Sequence, residues 1–258
     1  MSKKDRIVLT CLCVLIAFMD ISGLPFGLIR VEAADIDSYI IPLMINFCLI
    51  GIISFLVLRI ARVNFKLGFT KKGLKDGLKK YAPAGIIAAA LSFTAFFVGL
   101  YPFDYSPSVW KILVEGVLYY IGVGIVEEFY VRGLFLNIIE DFARKNKNKA
   151  LIAIIVSSSV FGLGHIPGML GMGAGVIVFK LISTIGMGLY FGTIYKKSGN
   201  LWLPIIMHTL IDVGALPYCF TRDMRYENIS LVILHITYTA LSVYCGFVLL
   251  HNKSREGN

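Results

Sequence analysis

Val126-Glu127-Glu128-Phe129-Tyr130-Val131-Arg132 sets two carboxylates and a guanidinium in the middle of an apolar run, Val109 to Phe142, that otherwise reads as a membrane span. Charge at that depth is costly, and an ionisable group there is a functional-site hypothesis by default. In a helix advancing about 100° per residue, Arg132 lies about 40° around the axis from Glu128 but about 140° from Glu127, so the spacing predicts a Glu128–Arg132 pair. Glu127 is then left without a partner on its own helix. A carboxylate not claimed by a neighbouring cation is free to take a proton from water. The alternative is that both glutamates are structural, capping or pairing with other helices.

The rest of the chain agrees with a membrane reading. Of 258 residues, 57% are hydrophobic and only 16% charged, with a mean hydropathy of +0.77. A soluble fold of this length needs a charged skin that the sequence does not supply. The net charge of +9 falls in short segments between apolar runs. That placement expresses topology and lipid contact rather than nucleic-acid binding. The five cysteines are dispersed without a Cys-x-x-Cys pair, which argues for packing and against a disulfide framework or a zinc knuckle.

Working outward from the glutamates, the expected fold is all-α, a polytopic bundle of about eight transmembrane helices. Before Val109, spans are expected over about 7–29, interrupted by Asp20 and Pro25, over 39–58, and over 82–101 after a basic segment at 59–80. After Phe142 they are expected over 150–166, 176–195, 201–218 and 229–250. The first run has the basic start of a signal peptide, but no small-x-small cleavage site closes it, and an uncleaved span is expected. Three regions follow: 1–80, a transmembrane pair with its basic segment; 81–220, the core; and 221–258, a last helix and tail. Nearly all Lys and Arg outside the spans then fall on the side of the amino terminus, with Arg30, Arg222 and Arg225 opposite. The positive-inside rule therefore puts both termini in the cytoplasm. The Lys-, Ile- and Asn-rich composition leans toward a bacterial plasma membrane.

Other ionisable residues occur inside the spans: His165 in the fifth, and His208 with Asp212, four apart on one face, in the seventh. One such histidine alone would suit a helix-packing hydrogen bond. Three helices each contributing ionisable groups point to one convergent buried site. By rise along the axis, however, His165 falls near the far end of its span, away from Glu127 and His208, so tilt or a shorter fifth helix is required.

Glu-Glu-x-x-x-Arg at 127–132, Phe-x-x-x-His at 161–165 and His-x-x-x-Asp at 208–212, in that order on successive hydrophobic segments, resemble the CAAX prenyl protease and bacteriocin-processing family, also called Abi. The Ser-Gly-Asn-Leu-Trp-Leu-Pro-Ile stretch before His208 is similar to that family's approach to its third motif. The resemblance covers about residues 80–220 and implies an intramembrane endopeptidase acting on a membrane-associated peptide or protein. It implies Glu127 as general base, His165 as a water ligand, and His208 with Asp212 as oxyanion stabilisers. Glu128 and Arg132 would hold the site, and no cofactor is required. The family often has Asn where Asp212 stands, so an orienting role for Asp212 is an equal expectation.

Two rivals differ in kind. Glu127, His165 and His208 would also make a His/His/carboxylate zinc set, although no His-Glu-x-x-His helix is present. Buried carboxylates and histidines also serve proton relays, so a transporter, immunity factor or scaffold is the non-catalytic alternative. Against a transporter, the hydrophobic segments show no inverted repeat.

Overall fold

The computed structural model describes residues 1–23, 27–225 and 227–251. Eight long helical segments account for the bundle among them: α1 (Lys3–Ser22), α2 (Ile40–Ile60), α3 (Leu74–Leu100), α4 (Val109–Phe142), α5 (Lys149–Gly164), α6 (Ala174–Ser198), α7 (Trp202–Val213) and α8 (Asn228–His251). The fold is the expected all-helical membrane bundle. From α2 onward, seven segments are long and apolar enough to cross a bilayer, α5 taken on to Met169 and α7 on to Phe220. The remaining one, α1, carries Lys3, Lys4, Asp5 and Arg6 at its start and Asp20 near its end. It is held by charge as well as by packing: Arg6 Nε meets Asp141 at 2.6 Å, and Lys4 Nζ donates to the Ala61 and Arg62 carbonyls past the end of α2. A lysine there satisfies carbonyls that a helix terminus leaves open.

Most expected boundaries fall within a few residues of the helix ends, with two larger differences. α1 ends at Ser22, where Gly23 takes a left-handed conformation, and not near 29. α3 begins at Leu74, so Lys75, Lys79 and Lys80 sit on its first turns rather than in a loop before Ala82. Pro25 and the tail beyond residue 251 lie outside the described residues.

Two apolar clusters build the interior. One joins α3, α6, α7 and α8 through Ala88, Ala95, Tyr190, Met207, Leu234 and Tyr238. The other joins α1, α2, α4 and α5 through Leu9, Ile16, Ile50, Leu134, Leu136 and Ile154. Side chains on the outside are apolar too, including Phe55, Ile87, Val98 and Phe247. Such a surface suits hydrocarbon, and Trp110 at the start of α4 suits the interface. Gly188 and Gly192 let α5 and α6 touch closely, since a Cβ would meet Ser158 at the first and Ile154 at the second.

The α6–α7 connection is locally determined. Gly199 takes a left-handed conformation (φ +64°), which ends α6. Asn200 then donates from its amide to the Lys72 carbonyl at 2.9 Å and to that of Thr70. Its Oδ1 accepts from the Trp202 amide at 2.9 Å at the start of α7. Leu201 N adds a bond to Gly68 O at 3.0 Å. This clasp fixes the start of the helix that carries His208 and Asp212.

Candidate active site

Glu127 and Glu128 end an α-helical stretch of α4, Tyr119–Glu128, and the chain then widens into a π-helical stretch, Phe129–Leu136. Such windings are rare and concentrate at functional sites. Asn137 closes the wide turn: its side-chain amide donates to the Arg132 and Gly133 carbonyls, both at 2.9 Å, and to the Tyr195 hydroxyl at 2.8 Å.

Arg132 is wholly buried. Its Nη1 donates to Glu128 Oε1 at 2.7 Å and its Nη2 to the Gly188 carbonyl at 3.3 Å. The guanidinium lies over the rings of Phe161, at 4.6 Å, and Phe191, at 5.3 Å. His208 Nδ1 donates to the same Glu128 oxygen at 2.7 Å. Glu128 is thus shared by Arg132 and His208, with no water-accessible surface left. The other imidazole nitrogen, Nε2, faces Asp212 Oδ2 at 3.3 Å and Glu127 Oε2 at 3.7 Å. The Phe191 ring stacks on His208, with centroids 4.7 Å apart and planes 20° apart.

The two adjacent glutamates therefore differ in kind. Glu128 is enclosed and committed, whereas the Glu127 side chain is 18% exposed and that of Asp212 17%. Asp212 lines a cavity of about 370 Å³ between α3, α6, α7 and α8. The close approach of α4 to α7 depends on Gly124, where a Cβ would sit 2.5 Å from the Thr209 hydroxyl and 3.2 Å from its backbone nitrogen.

His165 stands at the end of α5, which stops at Gly164. Its Nδ1 donates to the Phe161 carbonyl at 2.9 Å, which leaves Nε2 as the basic nitrogen of the neutral ring. Both histidines meet the Phe161 ring edge-on, His165 at 4.9 Å and His208 at 6.0 Å between centroids. The gap in depth expected from the sequence is thus bridged by an aromatic ring. Glu127, Glu128, Arg132, His208 and Asp212 form one polar network, and His165 adjoins it through Phe161. Two contributors from α6 escaped the sequence reading, Phe191 and the Gly188 carbonyl. Their only signal was Gly188-x-x-x-Gly192, which brackets Phe191 and reads as packing.

The zinc alternative asks whether Glu127, His165 and His208 converge as ligands. Among the described residues no three His, Cys, Asp or Glu side chains are grouped to hold a metal ion, and both ring nitrogens of His208 are turned to carboxylates.

Residues 108–214 match the family model described as type II CAAX prenyl endopeptidase, Rce1-like. This segment belongs to that family. The Rce1-like segment runs from the residue before α4 to just past α7 and contains every ionisable residue of the network. Membership implies an intramembrane protease, a hydrolase, with a membrane-associated peptide or protein as substrate, in agreement with the apolar helices of an integral membrane protein. A search of curated proteins finds no match.

Proposed function

We propose that the protein hydrolyses a peptide bond of a membrane-associated peptide or protein with a water molecule activated by Glu127. The observation that carries this reading is the unequal use of the two glutamates. Glu128 is taken by Arg132 and His208, so of the two glutamates only Glu127 keeps an accessible carboxylate beside the histidine.

In the proposed cycle, water held by Glu127 and His165 attacks the carbonyl carbon and its proton passes to Glu127. The carbonyl oxygen becomes the oxyanion, which His208 Nε2–H stabilises. When the intermediate collapses, the C–N bond breaks and Glu127 returns the proton to the leaving amine. Asp212 orients His208; an ionised carboxylate is a poor direct partner for an oxyanion. Glu128 holds the other face of the ring, and Arg132 neutralises Glu128 so that both stay in place. The donor arrangement favours a reaction without a bound metal. The Lys-, Ile- and Asn-rich composition supports a bacterial plasma-membrane setting, and the charge pattern supports cytoplasmic termini.

The test is cleavage of a fluorogenic membrane-peptide library by purified protein. Glu127→Gln and His208→Ala should each lower kcat by about 10²–10⁴-fold, the range for loss of a general base or an oxyanion donor. A strong chelator should change nothing. Chelator sensitivity restored by zinc would move the assignment to a metalloprotease, and unaltered cleavage by Glu127→Gln would remove Glu127 from the chemistry.

A further inference from the structure

Lys180 lies in the second turn of α6, six residues past Ala174 and so about 9 Å along the axis from the start of the span. A cation at such a position faces a partner or a water-filled cavity and marks a substrate or ion path. Lys180 lines the same cavity of about 370 Å³ as Asp212, a volume within the range of small-ligand sites. Among the described residues it is the one lysine or arginine on that lining. No hydrogen bond or ion pair of its ammonium occurs among them.

Several of the other polar groups on the lining are already engaged. The hydroxyls of Ser183 and Thr184 donate to backbone carbonyls of their own helix, and those of Ser92 and Tyr238 bond each other at 2.8 Å. Met169, Met172, Met187 and Ile211 supply a deformable apolar wall. An apolar chamber with one unpaired cation, opening beside a hydrolytic network, fits an apolar peptide segment that carries one negative charge.

We propose that Lys180 is a specificity residue that binds a carboxylate of the substrate peptide in the cavity that Asp212 also lines. This rests on the protease reading above. The shared chemistry is a carboxylate, and its source is either the free carboxyl terminus of the peptide or an acidic side chain close to the cleaved bond.

The experiment uses the full chain in lipid nanodiscs with N-acylated fluorogenic hexapeptides. They are made as matched carboxyl-terminal acids and amides, each with and without one Asp near the cleaved bond. One charge-assisted hydrogen bond should lower KM for the carboxylate-bearing peptide about ten- to a hundredfold. Lys180→Met should erase that ratio with kcat little changed, and Lys180→Arg should keep most of it. Whether the acid/amide pair or the Asp pair shows the ratio identifies the source. The proposal is overturned if the wild type shows no ratio, if the ratio survives Lys180→Met, or if that variant weakens all four peptides alike. Should no peptide be cleaved, the protease reading fails by itself. Equilibrium binding of the same peptides to wild type and Lys180→Met then decides the role of the lysine by the same ratio.

Discussion

Replacing Arg132 by Met tests whether the buried pair holds the site. The guanidinium has no accessible surface, bonds Glu128 at 2.7 Å and Gly188 O at 3.3 Å, and lies over two aromatic rings. Removing one member of a fully buried ion pair typically costs about 3–5 kcal/mol, because the other charge is stranded. Two features moderate the loss: Glu128 keeps His208 at 2.7 Å, and Arg132 Nε, buried without a partner, is no longer there to penalise the fold. The Gly188 carbonyl bond and the cation–π contacts, at about 1 kcal/mol each, act in the opposite direction. The net expectation stays at about 3–5 kcal/mol, a fall in unfolding midpoint of roughly 6–20 °C for a chain of this size. The assay is thermal unfolding in detergent, followed by circular dichroism and by intrinsic fluorescence at two scan rates. Adding Glu128→Gln removes the stranded charge, so the double variant should lose less than the sum of the singles, by about 0.5–3 kcal/mol. A shift below about 3 °C for Arg132→Met, corresponding to roughly 1 kcal/mol, or strictly additive losses, would refute the reasoning.

Gly124→Ala puts a methyl group against the Thr209 hydroxyl and backbone, next to His208. It should cost about 1–3 kcal/mol of stability and depress kcat, with partial rescue by Thr209→Ala, read by melting and turnover. Phe191→Leu removes the ring stacked on His208 and one of the two over Arg132; a loss of about 0.5–1.5 kcal/mol in transition-state stabilisation predicts a two- to tenfold fall in kcat/KM. At the loops, Asp35 accepts from the Ser108 amide at 3.0 Å and from the Tyr105 hydroxyl, and these bonds hold its carboxyl below the usual carboxylate range. A lowered folded pKa means that the tie is complete above the free value of about 3.9 and is lost as pH falls through the folded one. Hydrogen exchange at the Ser108 amide should therefore accelerate only under acid, and Asp35→Asn should remove much of that dependence.

The sequence reveals this molecule where the relevant physics is local. Long apolar runs mark the helices because an unpaired backbone is intolerable in hydrocarbon. The Glu128–Arg132 and His208–Asp212 pairs follow from angular spacing, and both are present at hydrogen-bonding distance or close to it. Contacts between helices are another matter. Nothing in α4 announces that Glu128 also takes His208 from α7, because which turns of two helices meet is decided by packing across the bundle. Phe191 is hidden for a related reason: an aromatic residue in an apolar run reads alike whether it meets lipid, core or a histidine. The early start of α3 is masked by its lysines, whose charge resembles a loop although straight-chain lysine is a good helix former.

The wide winding over Phe129–Leu136 also makes α4 sensitive to the counting of its residues. Hydrogen bonds closed over five residues accommodate more chain per turn than the α ladder does. Deleting one residue within that stretch would let the helix rewind as α with the turns on either side nearly in phase, because the wide turns absorb the extra residue. Deleting one from the α-helical stretch Tyr119–Glu128 would instead turn one part of the span against the other by about 100°. The same change in length is therefore absorbed on one side of Glu128 and becomes a frame error on the other. Hydropathy would register neither, but the contacts of the two glutamates would separate them.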